Sequence, residues 1–153
     1  MKRLATVAVA AVLLAAPRAS LAAPATASFK VSAKVPGACT VTAQDIAISA
    51  YDPNAATAAT ATGNLTLTCT RGTVYSVALS TTSGWTMKDA GGNPLTYQIQ
   101  QGGTGTPWNE TSLVKGTAAD KKPFTLPATL VVATGQDVPV GDYTDNVSVT
   151  VNF

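Results

Sequence analysis

From position 27 onward, apolar and polar residues alternate in short runs with a period of two, the spacing that puts successive side chains on opposite faces of a β-strand. Phe29, Val31, Ala33 and Val35 alternate with Lys30, Ser32 and Lys34. Leu65, Leu67 and Cys69 alternate with Thr66, Thr68 and Thr70, and Tyr75, Val77 and Leu79 form a third set. Leu95, Tyr97 and Ile99 form a fourth, and Leu130-Val131-Val132 is a shorter apolar run. The most regular set is the last: Tyr143, Val147, Val149, Val151 and Phe153 stand against Thr144, Asn146, Ser148, Thr150 and Asn152. Only Asp145 interrupts its apolar face. Between the runs lie turn-forming groups such as Pro36-Gly37, Asp52-Pro53-Asn54, Arg71-Gly72, Ala90-Gly91-Gly92-Asn93-Pro94 and Val140-Gly141-Asp142. Residues 55–61 read as a loop, because their threonines and lack of charge argue against a helical turn. Seven or so short strands at this spacing predict an all-β, immunoglobulin-like β-sandwich over residues 38–153, with no second domain.

The start of the chain has a different pattern. Met1-Lys2-Arg3 is a short basic stretch, and residues 4–16 form an apolar run of 13 that Pro17 and Arg18 end. That run is too short to span a bilayer and has the build of an export signal over residues 1–22. Ser20-Leu21-Ala22 places cleavage after Ala22, with Ala23-Pro24-Ala25 offering a later site. Losing Lys2, Arg3 and Arg18 leaves seven basic residues against eight acidic ones, so the +2 of the whole chain becomes −1. No basic patch remains for nucleic acid, and no stable membrane insertion is expected after cleavage.

Export makes the cysteines legible. Cys39 and Cys69, 30 positions apart, are the only two in a chain bound for an oxidising compartment, which predicts a disulfide. Each is in phase with apolar neighbours, Cys39 with Val41 and Cys69 with Leu65 and Leu67, so both sulfurs are expected to face a core. Composition narrows the chemistry further. The chain has no histidine, which excludes imidazole-based dyads and triads and histidine zinc sites, and two cysteines cannot form a four-thiolate site. The carboxylates are dispersed along the chain. No catalytic residue, cofactor or metal is therefore expected, and the chain does not read as an enzyme.

Two features sit awkwardly in a self-sufficient sandwich. The most regular strand ends at the last residue, which leaves nothing to cover its open edge, and long apolar edges aggregate. At the other end, the amphipathic residues 27–35 lie outside the disulfide-closed body, joined to it by Pro36-Gly37-Ala38. Either this strand pairs within its own domain, or it completes the sheet of another molecule.

The order of motifs resembles the spore coat protein U domain family, which includes subunits of archaic (Csu-type) chaperone–usher pili. The matching pieces are Phe29-x-Val31, Cys39-Thr40-Val41, Tyr51-Asp52-Pro53, Gly63-x-Leu65-x-Leu67-x-Cys69 and Gly72-Thr73-x-Tyr75. Met87, Leu95-x-Tyr97 and Pro107-Trp108 follow, and the match is closest at Gly141-Asp142-Tyr143-Thr144-Asp145 and Val149-Thr150-Val151-Asn152-Phe153. Three positions depart from the family pattern. Ser49-Ala50 stands for a Phe-Gly pair, Trp85-Thr86 where an arginine is frequent, and Asn109 for a glycine.

The resemblance implies an immunoglobulin-like domain that is incomplete, lacking its last strand, and is completed by donor-strand exchange. A periplasmic chaperone lends a strand, and an outer-membrane usher exchanges it for the N-terminal extension of the next subunit. Carried onto this chain, residues 23–37 become donor strand and hinge, with Phe29, Val31, Ala33 and Val35 as donor residues. The acceptor groove becomes Val147, Val149, Val151 and Phe153. The protein is then a structural subunit, polymerising with identical or related pilus subunits, exported through the periplasm to a cell-surface fibre, or secreted, in adhesion or biofilm formation.

Two alternatives stand beside this reading, a spore-coat structural protein and a secreted monomeric carbohydrate-binding module. The second would use Trp85 and Trp108 as a stacking platform for sugars, against the plainer expectation that both are at least partly buried. Tyr143 has a plainer role as well: a core tyrosine whose hydroxyl caps a turn.

Overall fold

The computed structural model describes residues 23–153 of the chain, so the expected signal segment, residues 1–22, lies outside the described residues. Lys34–Phe153 forms one compact unit, and the residues before Lys34 belong to another. Nine strands are present among the described residues: β1 (Cys39–Ala43), β2 (Ala59–Cys69), β3 (Val74–Thr81), β4 (Thr86–Lys88), β5 (Pro94–Thr96), β6 (Gln98–Gln101), β7 (Val114–Thr117), β8 (Phe124–Val132) and β9 (Val147–Asn152).

They form an immunoglobulin-like β-sandwich of antiparallel sheets. One sheet has the order β1-β2-β8-β6, the other β7-β3-β9, and β4-β5 is a separate hairpin. The alternation seen in the sequence places Leu65 and Leu67 of β2, Val77 and Leu79 of β3, Ile99 of β6, and Leu130 and Val132 of β8 in one buried core. The large faces of the two sheets thus bury each other's apolar residues, the main favourable term in such a fold. Trp108 is 1% exposed and is the largest fully buried side chain. Its indole Nε1 donates to the Val77 carbonyl at 2.9 Å, so the loop after β6 is pinned to the opposite sheet.

The disulfide is formed. Cys39 and Cys69 lie directly opposite each other on β1 and β2, with Cα atoms 4.1 Å apart. It therefore fastens the edge strand β1 to β2, its one hydrogen-bonded neighbour among the described residues.

Two expectations need correcting. Leu95, Tyr97 and Ile99 share a buried face, but they do not lie on one strand. The chain leaves the β4-β5 hairpin at Tyr97, whose N–H bonds to the Trp85 carbonyl, and enters the large sheet as β6. Side-chain period records the face and not the sheet that takes the backbone bonds. Residues 59–61, read as part of a loop, are the start of β2, where Ala59 and Ala61 pair with Val132 and Leu130. Apart from these two, residues 23–38, including the run at 29–35, form no strand among the described residues.

Candidate functional site

β1 is hydrogen-bonded to β2 alone and β9 to β3 alone, so each sheet ends on an unpaired edge. Between the end of β1 at Ala43 and the start of β9 lies an open groove of about 620 Å³. Its floor is core: Leu65 of β2, Leu79 of β3, Ile99 of β6, and Leu130 and Val132 of β8. Residues 43–51 form one lip and residues 141–147, with Val149, the other.

The first lip follows from a close approach at a glycine. β1 ends at Ala43, and the next residue still bonds to the sheet, Gln44 N–H to the Asn64 carbonyl at 3.1 Å. Ile46 then comes down over Gly63, where a Cβ would lie 2.6 Å from Ile46 Cγ1. Only glycine at position 63 lets this lip lie so close, and Ile46 and Ile48 rest half-buried against the core. Tyr51 anchors the far end of the lip, since its hydroxyl donates to the Ala133 carbonyl and accepts from Gln136 N–H, both at 2.9 Å.

The second lip is held by two side chains. Tyr143 Oη donates to the Pro139 carbonyl at 2.7 Å, a turn-capping tyrosine of the kind found at the corner before a late strand in immunoglobulin-like domains. Burial, and secondarily the charge of Asp89, push its phenol pKa up. Asp145, the residue that breaks the apolar face in the sequence, is the acceptor at the centre of a polar cluster. Its Oδ2 accepts from Tyr97 Oη at 2.6 Å, from Thr81 Oγ1 at 2.7 Å and from Ser83 Oγ, while Oδ1 accepts its neighbour's N–H, Asn146, at 2.8 Å. Burial alone would raise the Asp145 pKa, but these hydrogen bonds outweigh it and hold the carboxyl below its ordinary value. Burial, with the Asp145 carboxylate beside it, drives the Tyr97 phenol far above its usual range. The cluster thus ties the approach to β9, the β3–β4 turn and the β5–β6 junction together at the groove wall.

The residues singled out for a binding role fall as follows. Val147 and Val149 line the groove. Val151 packs on the core further along β9, and Phe153 is 62% exposed beyond its end. Phe29, Val31 and Val35 are 87%, 81% and 77% exposed, which is unusual for apolar residues in perfect alternation. Sequence reasoning drew the wall from β9 alone and missed the floor supplied by β2, β3, β6 and β8. It also missed Ile46 and Ile48, whose spacing of two was the available signal. The sugar platform is not built: Trp108 is in the core, and Trp85 lies half-buried edge-on to Tyr97, ring centroids 5.8 Å apart.

The family model of the Spore Coat Protein U domain matches residues 25–150. No curated protein matches the chain. Among solved structures, the fold is similar to a chain of the CsuC–CsuE chaperone–tip adhesion subunit pre-assembly complex from archaic chaperone–usher Csu pili of Acinetobacter baumannii. The TM-score is 0.61 at 22% identity, over 78% of this chain and 40% of that one. This chain therefore spans less than half the length of its structural neighbour, and the likeness concerns the fold. The family match runs from the N-terminal segment to within β9 and takes in both lips of the groove: the protein belongs to the Spore Coat Protein U domain family.

Proposed function

We propose that the protein is a structural subunit of a surface fibre, assembled by a chaperone–usher route, in which residues 29–35 of one molecule insert into the groove of the next. One observation carries this reading. The core is open at a groove that lies between the segment leaving β1 at Ala43 and the start of β9, the two strands at unpaired sheet edges among the described residues, and is floored by Leu65, Leu79, Ile99, Leu130 and Val132. An extended segment laid there finds backbone partners on both sides and an apolar floor beneath, the two requirements of β-strand addition. The chain carries such a segment itself, with Phe29, Val31, Ala33 and Val35 on one face.

Six residue steps from Phe29 to Val35 span about 20 Å at ~3.3 Å per residue, an ordinary strand length. Burying one phenylalanine and two valines contributes roughly 5–8 kcal/mol before ladder hydrogen bonds are added and ordering is subtracted. A one-residue slip would turn Lys30 and Lys34 toward the floor, so the register is strongly specified. Before assembly, the same groove is the place for a strand lent by a periplasmic chaperone, and an outer-membrane usher is the site of exchange. The fibre would serve adhesion or biofilm formation, and the protein acts as a building block and not as an enzyme. The neighbouring structure, a chaperone–tip adhesion subunit pre-assembly complex, supports this route.

The test is ladder or fibre formation on non-reducing gels. Val31→Asp is expected to abolish assembly, because it places a charge on the apolar floor, while Lys30→Ser reaches the parent's final extent. Polymerisation of Val31→Asp like the parent would contradict strand insertion.

A further inference from the structure

We propose that insertion is steered by charge: Lys30 and Lys34 of one molecule are drawn to Asp45 and Asp142 on the groove lips of a second copy, which makes these four residues determinants of donor choice. The proposal rests on the strand-insertion reading above and adds what that reading leaves open, namely how the groove selects its segment.

The charges are divided between segment and body. Residues 23–37 contain two lysines and no acidic residue, whereas residues 38–153 hold five basic and eight acidic residues, a net charge of −3. The groove concentrates that difference. Its lining includes Asp45, Asp142 and Asp145 and not one lysine or arginine. Asp145 is already engaged by Tyr97, Thr81 and Ser83. Asp45 and Asp142 are exposed, one on each lip, and make no ion pair among the described residues, where the one such pair is Lys122–Asp120 at 4.0 Å. Lys88, whose backbone bridges to Thr144 beside the second lip, is not paired with either of them.

The alternation of the segment turns its charges away from the floor. With Phe29, Val31, Ala33 and Val35 facing the floor, Lys30 and Lys34 face outward, toward the open side on which the lips lie, about 13 Å apart at ~3.3 Å per residue. Exposed pairs of this kind add little to equilibrium affinity, typically under about 1 kcal/mol. Their effect is on encounter: an acidic cleft raises the local concentration of a cationic segment and disfavours an anionic one, and salt screens both effects. Apolar burial sets how far assembly goes, and the lysines set how fast and with which segment.

Protein purified after export is unfolded with its disulfide intact and diluted into about 10 mM or about 0.5 M salt, where the Debye length falls from about 30 Å to under about 5 Å. Ladder growth is followed over time. Salt is expected to slow the parent about tenfold, and Lys30→Gln/Lys34→Gln to assemble at roughly a tenth of the parent's low-salt rate, without salt dependence and to the same final extent. Lys30→Glu/Lys34→Glu is expected to be slower still, and to recover when combined with Asp45→Lys/Asp142→Lys. The donor-side changes lie outside every strand, so they leave the sandwich intact. A parent-like rate and salt slope for the glutamine pair, or failure of the lip reversal to rescue the glutamate pair, overturns the proposal. Val31→Asp run alongside separates the two levels: if it assembles like the parent, strand insertion itself is wrong, whatever the lysines do.

Discussion

Residues 29–35 and β9 are nearly the same object in sequence and opposite objects in the fold. Each alternates apolar and polar positions without a break, Phe-Lys-Val-Ser-Ala-Lys-Val in one and Val-Ser-Val-Thr-Val-Asn in the other. β9 is a strand, because β3 supplies register from Ser76↔Asn152 to Thr81↔Val147. Residues 29–35 have no such neighbour among the described residues and form no strand, and their apolar face stays exposed. The difference teaches that alternation specifies a face, whereas a strand also needs a second backbone. β9 shows the same rule from its other side, since its outer edge is as unpaired as the N-terminal segment.

The comparison can be broken by removing one of its members, and this has the largest expected effect. Deleting residues 23–37 leaves the groove with no strand from any copy. Ordered ladders should disappear, and the open apolar edge at β9 should drive irregular aggregation unless a chaperone is supplied. Size-exclusion chromatography showing a stable, monodisperse monomer with no partner present would contradict the account.

A second change sharpens the comparison at the opposite lip. Among the described residues β1 has one hydrogen-bonded neighbour, and the Cys39–Cys69 bond fastens it there. Cys69→Ala should cost about 3–4 kcal/mol by the chain-entropy account of a loop this long, read as a lower denaturant midpoint and a lower yield of folded subunit. Mass spectrometry of the unreduced parent should find no free thiol.

The smallest effect concerns the residue that breaks the β9 pattern. Asp145→Asn removes a carboxylate that accepts from three hydroxyls, and should cost about 1–3 kcal/mol at neutral pH. The pH dependence has a definite sign. The folded-state pKa of Asp145 is lowered, so its contribution is present above the unfolded value and is lost as pH falls through the folded one. Thermal denaturation should therefore show the gap between parent and variant closing as pH drops below about 4. A gap that widens in acid would contradict this role.

Much of the sandwich was legible in the sequence because its core positions are large and aliphatic. Leu65, Leu67, Val77, Leu79, Leu130 and Val132 announce their faces, and two cysteines in a chain that begins like an export signal announce their bond. Where side chains are small, contrast fades: Ala59 and Ala61 pair in β2 but read as loop. The break at Tyr97 was invisible for a different reason, since Leu95, Tyr97 and Ile99 keep one buried face while the backbone changes sheets. The groove was the least legible part. Its floor comes from four strands spread over residues 59–132, so the pattern could point to β9 and not to what lies opposite it. Asp145 looked like a flaw in a strand until Thr81, Ser83 and Tyr97 were brought to it by the fold.

Amide hydrogen exchange over residues 29–35, measured in assembled protein and in the Val31→Asp variant, tests the central claim most directly. A segment seated between β1 and β9 has its N–H groups bonded alternately to either side, so every amide in it should be protected. The account predicts exchange at least about a hundredfold slower in the assembled parent than in the variant, where the segment stays open. Exchange of residues 29–35 at the rate of a free peptide within assembled fibres would contradict it.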